Sequence, residues 1–240
     1  MFYEVFGMKI MGMEKMSLVD FDGYVSATLF TGGCNFSCPF CHNAPLVKGF
    51  NDLPYLAEKE VFDYLEKRRG ILDGVCITGG EPTLHPDLPI LMEKIKNLGY
   101  KVKLDTNGTN PELVKTIDEN GLCDYFAMDI KNDRESYAKI IGFDSYDTKK
   151  VEQTVDYFLS KKANYEFRTT LINEFHKKQN IVNIAEWIKG ANKYFLQKFK
   201  LGENCLNADN LSPVDNQTTL EYLEILRKSI PSVSTRGYDF

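Results

Sequence analysis

Cys34, Cys38 and Cys41 fall within eight residues of one another, in Thr31-Gly-Gly-Cys34-Asn-Phe-Ser-Cys38-Pro-Phe-Cys41-His-Asn43, at the spacing C-x3-C-x2-C. They directly follow an apolar, strand-like run, Tyr24–Phe30. Three thiolates on one short loop can wrap one face of an iron–sulfur cubane, which leaves one iron without a protein ligand and open to another molecule. The alternative is a structural zinc site built from the same cysteines and His42. Zinc knuckles usually draw their ligands from two separated turns, and adjacent Cys41 and His42 do not readily face one metal. Cys76, Cys123 and Cys205 are scattered without ligand spacing; Cys76 reads as a small core residue and Cys205 as a free surface thiol.

Other candidates sit where further β-like runs end. Gly79-Gly80-Glu81 combines two glycines, which let backbone approach a ligand, with a carboxylate able to hold an ammonium group. The same three residues also suit an ordinary β/α turn. Asp105-Thr-Asn107-Gly108 is compatible with a binding loop or with a plain turn, since Asn-Gly accepts positive φ. Asp129 and Lys131 flank Ile130 on a strand, so both face one side, either toward a ligand or paired with each other. Arg168 lies on a later strand, where it is either a ligand-facing group or a paired structural arginine. His85 and His176 read as ordinary loop residues.

The elements that must position these groups alternate. Strand-like runs cover Tyr24–Phe30, Gly74–Thr78, Lys101–Asp105, Tyr125–Ile130, Tyr165–Ile172 and Tyr194–Phe199. Between them, Leu88, Leu91, Met92, Ile95 and Leu98 share one helical face that stops at Gly99, and Val151, Val155, Phe158 and Leu159 and then Ile181, Ile184, Ala185 and Ile188 repeat that spacing. Asp52 before Pro54 and Asn110 before Pro111 look like helix starts. Strands separated by helices imply parallel neighbours, and six units are too few for a closed eight-stranded barrel. The expected fold is therefore α/β, an open (β/α)6 partial TIM barrel, with Tyr3–Ile10 and Val233–Arg236 as further edge strands. In such folds functional groups gather beyond the strand C-termini, where all the candidates above fall.

Composition sets the outer bounds. The 240 residues are 43% hydrophobic and 26% charged, suited to one sizeable core over 1–240 without a linker. The net charge of −5 and the lack of a basic block give no nucleic-acid footprint. No apolar run is long enough for a membrane span, and the first residues lack a secretion-signal pattern. Six cysteines, three of them clustered, suit a reducing cytoplasm.

The loop Cys34-x3-Cys38-x-Phe40-Cys41 resembles the signature of the radical S-adenosylmethionine (SAM) superfamily. The likeness extends through Ser17-Leu-Val-Asp-Phe-Asp-Gly23, Thr78-Gly-Gly-Glu-Pro-Thr83, Asp105-Thr-Asn-Gly108, Met128-Asp-Ile-Lys131 and Glu166-Phe-Arg-Thr-Thr170. Together these stretches are similar to glycyl-radical-enzyme activating enzymes, most of all the short type that activates anaerobic (class III) ribonucleotide reductase. The resemblance implies a radical SAM fold in which Cys34, Cys38 and Cys41 hold a [4Fe–4S] cluster. It places Gly79, Gly80 and Glu81 along the methionine end of SAM, with Glu81 near the ammonium. It places Asp105, Asn107, Asp129, Lys131 and Arg168 near the ribose, the carboxylate or a bound cation. Backbone at Phe40 falls by the adenine, and Asp20 falls close to a target peptide.

The chemistry so implied is reductive cleavage of SAM, with the electron supplied by a donor such as flavodoxin or ferredoxin. The resulting 5′-deoxyadenosyl radical removes a glycine α-hydrogen from a partner enzyme. Asp22 stands where the related pattern usually has Pro, and the cysteine-rich insert of some other activators is absent. A radical SAM enzyme acting on a small molecule and a non-enzymatic zinc scaffold are the rival readings.

Overall fold

The computed structural model of the protein describes residues 8–160 and 163–240. Among the described residues the elements begin with β1 (Ile10–Ser17), β2 (Ser26–Thr31), the short α1 (Ala44–Val47) and α2 (Glu58–Lys67). It continues through β3 (Gly74–Gly79), α3 (Leu88–Asn97), β4 (Lys101–Thr106), α4 (Pro111–Glu119) and β5 (Tyr125–Asp129). Then come α5 (Tyr137–Ile140), α6 (Lys149–Ser160), β6 (Tyr165–Leu171), α7 (Lys178–Trp187), β7 (Tyr194–Lys198), α8 (Asn216–Leu226) and β8 (Val233–Arg236). The eight strands follow chain order in a mixed, open sheet. The six expected strands are all present, and β8 is the expected edge over Val233–Arg236. The expected edge over Tyr3–Ile10 lies mostly outside the described residues, and β1 begins at Ile10.

The chain divides into two compact units. The first comprises the residues up to Asn35, Pro45–Thr106 and Glu112–Phe126; the second comprises Phe36–Ala44, Asn107–Pro111 and Ala127–Phe240. In the first, β1 pairs antiparallel with β2, while β2, β3 and β4 are parallel. The β2–β3 register runs from Ser26 opposite Gly74 to Thr31 opposite Gly79, so both strands stop at the same level. Ala27, Leu29, Val75, Ile77, Val102 and Leu104 are fully buried, and Leu88, Leu91, Met92 and Ile95 present the expected apolar face of α3. This α3 stripe ends where Gly99 takes φ +93°, a left-handed conformation that closes a helix without side-chain strain.

Asp52–Pro54 does not start a helix. Phe50–Asp52 form a single 3-10 turn, and the backbone N–H of Leu56 donates to Ile10 O at 2.8 Å, which keeps this stretch extended. Helix α2 begins only at Glu58. In the second unit β6, β7 and β8 are parallel, with Phe167 opposite Tyr194 and Tyr194 opposite Val233. Phe158 of α6 stacks on Tyr165 at 5.1 Å between ring centroids and meets Phe167 edge-on at 6.3 Å, which fastens the helix to its strand. Helix α8 is capped by Asp215, whose Oδ1 accepts the Thr218 N–H at 2.9 Å.

The β1–β2 connection contains a turn in which Tyr24 N–H donates to Phe21 O at 3.0 Å and Gly23 takes φ +83°. Among the described residues no non-glycine has positive φ, so Asp22 and Gly23 are the central residues of a type II turn. Proline is favoured at the Asp22 position because its ring presets φ. Asp22→Pro is expected to raise the urea unfolding free energy by about 0.4–1 kcal/mol by restricting the unfolded chain. An unchanged or lower midpoint would show that the turn needs the aspartate or its N–H.

Candidate active site

In the first unit the chain entering the cysteine loop is fastened to the turn after β3. Gly80 N–H donates to Thr31 O at 2.9 Å, Glu81 N–H to Gly33 O at 2.8 Å, and Gly33 N–H to Leu46 O at 2.7 Å. A Cβ on Gly80 would drive into the Gly33 carbonyl, and one on Gly79, at φ +121°, into the Thr31 backbone. The two glycines are therefore required by the approach of the protein's own backbone immediately before Cys34. His85, expected to be an ordinary loop residue, adds a ring nitrogen 2.8 Å from Gly32 O.

Glu81 is 1% exposed, and its Oε1 accepts from Thr83 N–H at 3.1 Å, Thr83 Oγ1 at 2.5 Å and Thr106 Oγ1 at 2.7 Å. It thus caps the single turn Pro82–Leu84, which explains the order Glu-Pro-Thr locally. A buried carboxylate still favours a cation beside it. On β4, Asp105 lies 2.5 Å from the buried Lys103 ammonium, whose Nζ is also 3.8 Å from Cys76 Sγ.

In the second unit the remaining loop residues are held from several sides. Ser37 N–H donates to Ile141 O at 3.0 Å, Asn207 N–H to Pro39 O at 2.8 Å and Leu206 N–H to Cys41 O at 3.2 Å. Phe36 is buried against Tyr137 and Tyr146, with centroids at 6.3 and 5.4 Å. Gly142, at φ +82°, leaves room for Ser37 O, which a Cβ would meet at 2.6 Å. Cys205 is a free thiol, half-buried, its Sγ 4.0 Å from Phe40 O. His42 has its Nε2 2.5 Å from the Lys200 carbonyl. Burial pushes the Cys41 thiol up despite the opposing pull of the Asn43 N–H and the Lys131 charge.

Asp129, Lys131 and Arg168 come together. Lys131 Nζ is 2.8 Å from Asp129 Oδ2, Arg168 Nε is 2.9 Å from Asp129 Oδ1, and Lys131 Nζ sits 5.9 Å above the Phe40 ring. Burial alone would raise the Asp129 carboxyl, but the two cations outweigh it and hold it down at about 2. Burial likewise disfavours the Lys131 ammonium, and the Asp129 charge overcomes it, so Lys131 stays charged. The Asp129 carboxylate is thus shared by two cations at one place on the strand ends. Asn107 closes a local turn instead: its Oδ1 accepts from Thr109 N–H at 3.1 Å and Thr109 Oγ1 at 2.7 Å, and Gly108 takes φ +77°.

These strand-end groups on an open α/β sheet define a cofactor-dependent enzyme class, and the comparisons specify it. Residues 28–192 match the Radical SAM superfamily. A protein of Methanocaldococcus jannaschii, named as a candidate glycyl-radical enzyme activating enzyme, is 31% identical over 95% of both chains. Among solved structures, a domain of a pyruvate-formate lyase-activating enzyme from Bacteroides vulgatus has TM-score 0.55 at 19% identity, covering 68% of this chain and 99% of that one. Streptococcus suis SuiB bound to S-adenosylmethionine has TM-score 0.66 at 14% identity, covering 85% and 48%.

The chain belongs to the radical SAM superfamily. Its cofactors are those of the superfamily, a [4Fe–4S] cluster and SAM. The donor set fits: three cysteines, none in a disulfide, stand on one loop tied along its length by backbone hydrogen bonds. Among the described residues, no three His, Cys, Asp or Glu side chains are placed to hold a single metal ion. A cubane differs from such a site in spreading its thiolates over separate irons.

Sequence reasoning missed His176, which is fully buried, with Nδ1 3.0 Å from Ile172 N and Nε2 2.9 Å from Lys131 O. Burial lowers its pKa from 6.5 to about 4. Between those values the unfolded chain binds a proton that the folded chain refuses, so stability falls as pH drops through this window, by up to about 3 kcal/mol. Urea midpoints measured from pH 7 to pH 4.5 are expected to decline, and to decline less in His176→Gln. Asp129 adds its own loss only as pH falls from the ordinary carboxylate value of 3.8 toward 2.

Proposed function

We propose that this protein is a glycyl-radical-enzyme activating enzyme, with anaerobic ribonucleotide reductase as its target and 1–240 acting as one radical SAM domain. The observation that carries the reading is the near full-length similarity to the M. jannaschii relative of that name. An exposed apolar run supports a macromolecular partner. Met16, Leu18 and Val19 at the β1–β2 connection are 60%, 71% and 81% exposed, beside Asp20, whose Oδ2 accepts from Thr28 Oγ1 at 2.7 Å.

In this reading Cys34, Cys38 and Cys41 ligate the cluster. The Lys131 ammonium and the Arg168 guanidinium, gathered at Asp129, lie toward the SAM carboxylate, and Glu81 lies toward the SAM ammonium. Gly79 and Gly80 shape the backbone along the methionine end, Asp105 and Asn107 lie toward the ribose, and Phe40 lies by the adenine. When bound, the cluster and SAM supply reductive C–S cleavage to a 5′-deoxyadenosyl radical, with one electron from a flavodoxin- or ferredoxin-type donor. The protein's contribution is to orient the groups and exclude water, so that the radical meets one glycine α-hydrogen.

Anaerobic reconstitution, reduction and addition of SAM are expected to yield 5′-deoxyadenosine, and Cys38→Ala to abolish it. Full cleavage by that variant would end the cluster assignment. Asp129→Asn is expected to weaken SAM binding about tenfold or more, through misplacement of both cations. With a class III reductase added, a glycyl-radical EPR doublet should appear. Cleavage that depends instead on a metabolite, with no doublet in any glycyl-radical enzyme tested, would favour the small-molecule reading.

A further inference from the structure

We propose that His176 is a positioning residue for Lys131: it holds the end of β5 so that the Lys131 ammonium stands between Asp129 and the Phe40 ring. The tautomer follows from the contacts. Ile172 N–H points at Nδ1 from 3.0 Å, which makes Nδ1 the acceptor and leaves the proton on Nε2. Nε2–H then donates to the Lys131 carbonyl at 2.9 Å. Nδ1 is also 3.2 Å from Ile172 O, but a proton there would set Nε2 and the Lys131 carbonyl facing each other as two acceptors.

The tie is doubled and braced. Asn132 Nδ2 donates to Phe175 O at 3.0 Å, so two successive residues leaving β5 are fixed to two successive residues leaving β6. Tyr222 of α8 donates its hydroxyl to His176 O at 3.0 Å, which prevents the histidine backbone from drifting. Thr169 Oγ1 reaches Ile130 O at 2.6 Å one residue earlier. With its backbone so held, the Lys131 side chain has a fixed origin for the 2.8 Å contact to Asp129 and its place over Phe40. The consequence for SAM rests on the reading of Lys131 given above; the positioning itself does not.

The test uses the full chain with its cluster loaded anaerobically. Formaldehyde and borane label lysine amines, and peptide mass spectrometry reads each site. His176→Asn keeps an acceptor near Ile172 but loses the reach to Lys131, whereas His176→Gln keeps a donor at that reach. Labelling of Lys131 is expected to rise about tenfold in His176→Asn and to stay near wild type in His176→Gln, with Lys94, paired to Glu58, unchanged in both. SAM affinity is expected to fall about tenfold in His176→Asn with turnover at saturating SAM nearly preserved.

Equal acceleration at Lys94, or none at Lys131, would overturn the proposal. Ring 15N shifts of the wild-type protein, which has three histidines, provide a check that needs no variant, and a proton on Nδ1 of His176 would overturn it too. If Lys131 is unlocked as expected while SAM affinity is unchanged in both His176→Asn and Lys131→Met, the positioning stands and the assignment of Lys131 to SAM fails.

Discussion

The constraint on which the first unit's candidate groups depend is the parallel register that sets Thr31 opposite Gly79. Because β2 and β3 stop at one level, their exit loops must share the same space. Side chains on the β3 exit would separate them, so the sequence places Gly79 and Gly80 there, while Gly32 and Gly33 on the other loop make room for the Phe50 ring. The freed space is filled by backbone hydrogen bonds, from Gly80 to Thr31 and from Glu81 to Gly33. Cys34 therefore leaves a segment whose backbone is already fixed. If Cys34 ligates the cluster as proposed, its thiolate gains from this preorganisation, because the segment before it is ordered on folding.

Electrostatics in the second unit follow a different logic. Each of the two contacts to Asp129 contributes roughly 4 kcal/mol at the effective dielectric of protein sites, while desolvation costs several kcal/mol per ion. Gain and cost nearly cancel, so the trio adds little to folding. Hydrophobic residues of similar volume would hold this part of the fold as well. What they could not supply is charged groups that still reach solvent, with Lys131 and Arg168 side chains 18% and 11% exposed. On the proposed reading, these charges serve a SAM carboxylate and not the fold.

Most of the fold was legible because it rests on local periodicity. The β-rich runs, the α3 stripe ending at Gly99 and the Pro111 helix start all follow from patterns within a few residues. Asp52–Pro54 misled because a long-range bond, Leu56 to Ile10, outcompetes a helix start that looks sound in isolation. Helix α8 escaped notice although Asp215, three residues before Thr218, is a cap signal. The cysteines and the Asp129–Lys131 alternation were readable by spacing and by strand period. Gly79 and Gly80 were readable as close-approach residues, but the partner surface, their own neighbouring loop, was not. His176 had no signal at all: its partners are backbone groups of Ile172 and Lys131, and backbone contacts leave no imprint on residue type.

The fold alone does not choose the substrate, since function resides in sites placed on it and proteins of this fold include several different enzymes. Choice must reside in surface outside the shared fold, and the type II turn before β2, where the pattern this chain resembles usually has proline at the Asp22 position, is one such place. Proline there would make the turn stiffer without adding any contact. Aspartate gives up that stiffness for a charge on the exposed connection that carries Leu18 and Val19. Residues that loosen a turn while charging its surface are costly in folding and useful in binding, as loops that carry recognition commonly are. Under the proposed activity, the exposed Leu18 and Val19 beside this turn are where a macromolecular substrate would be recognised.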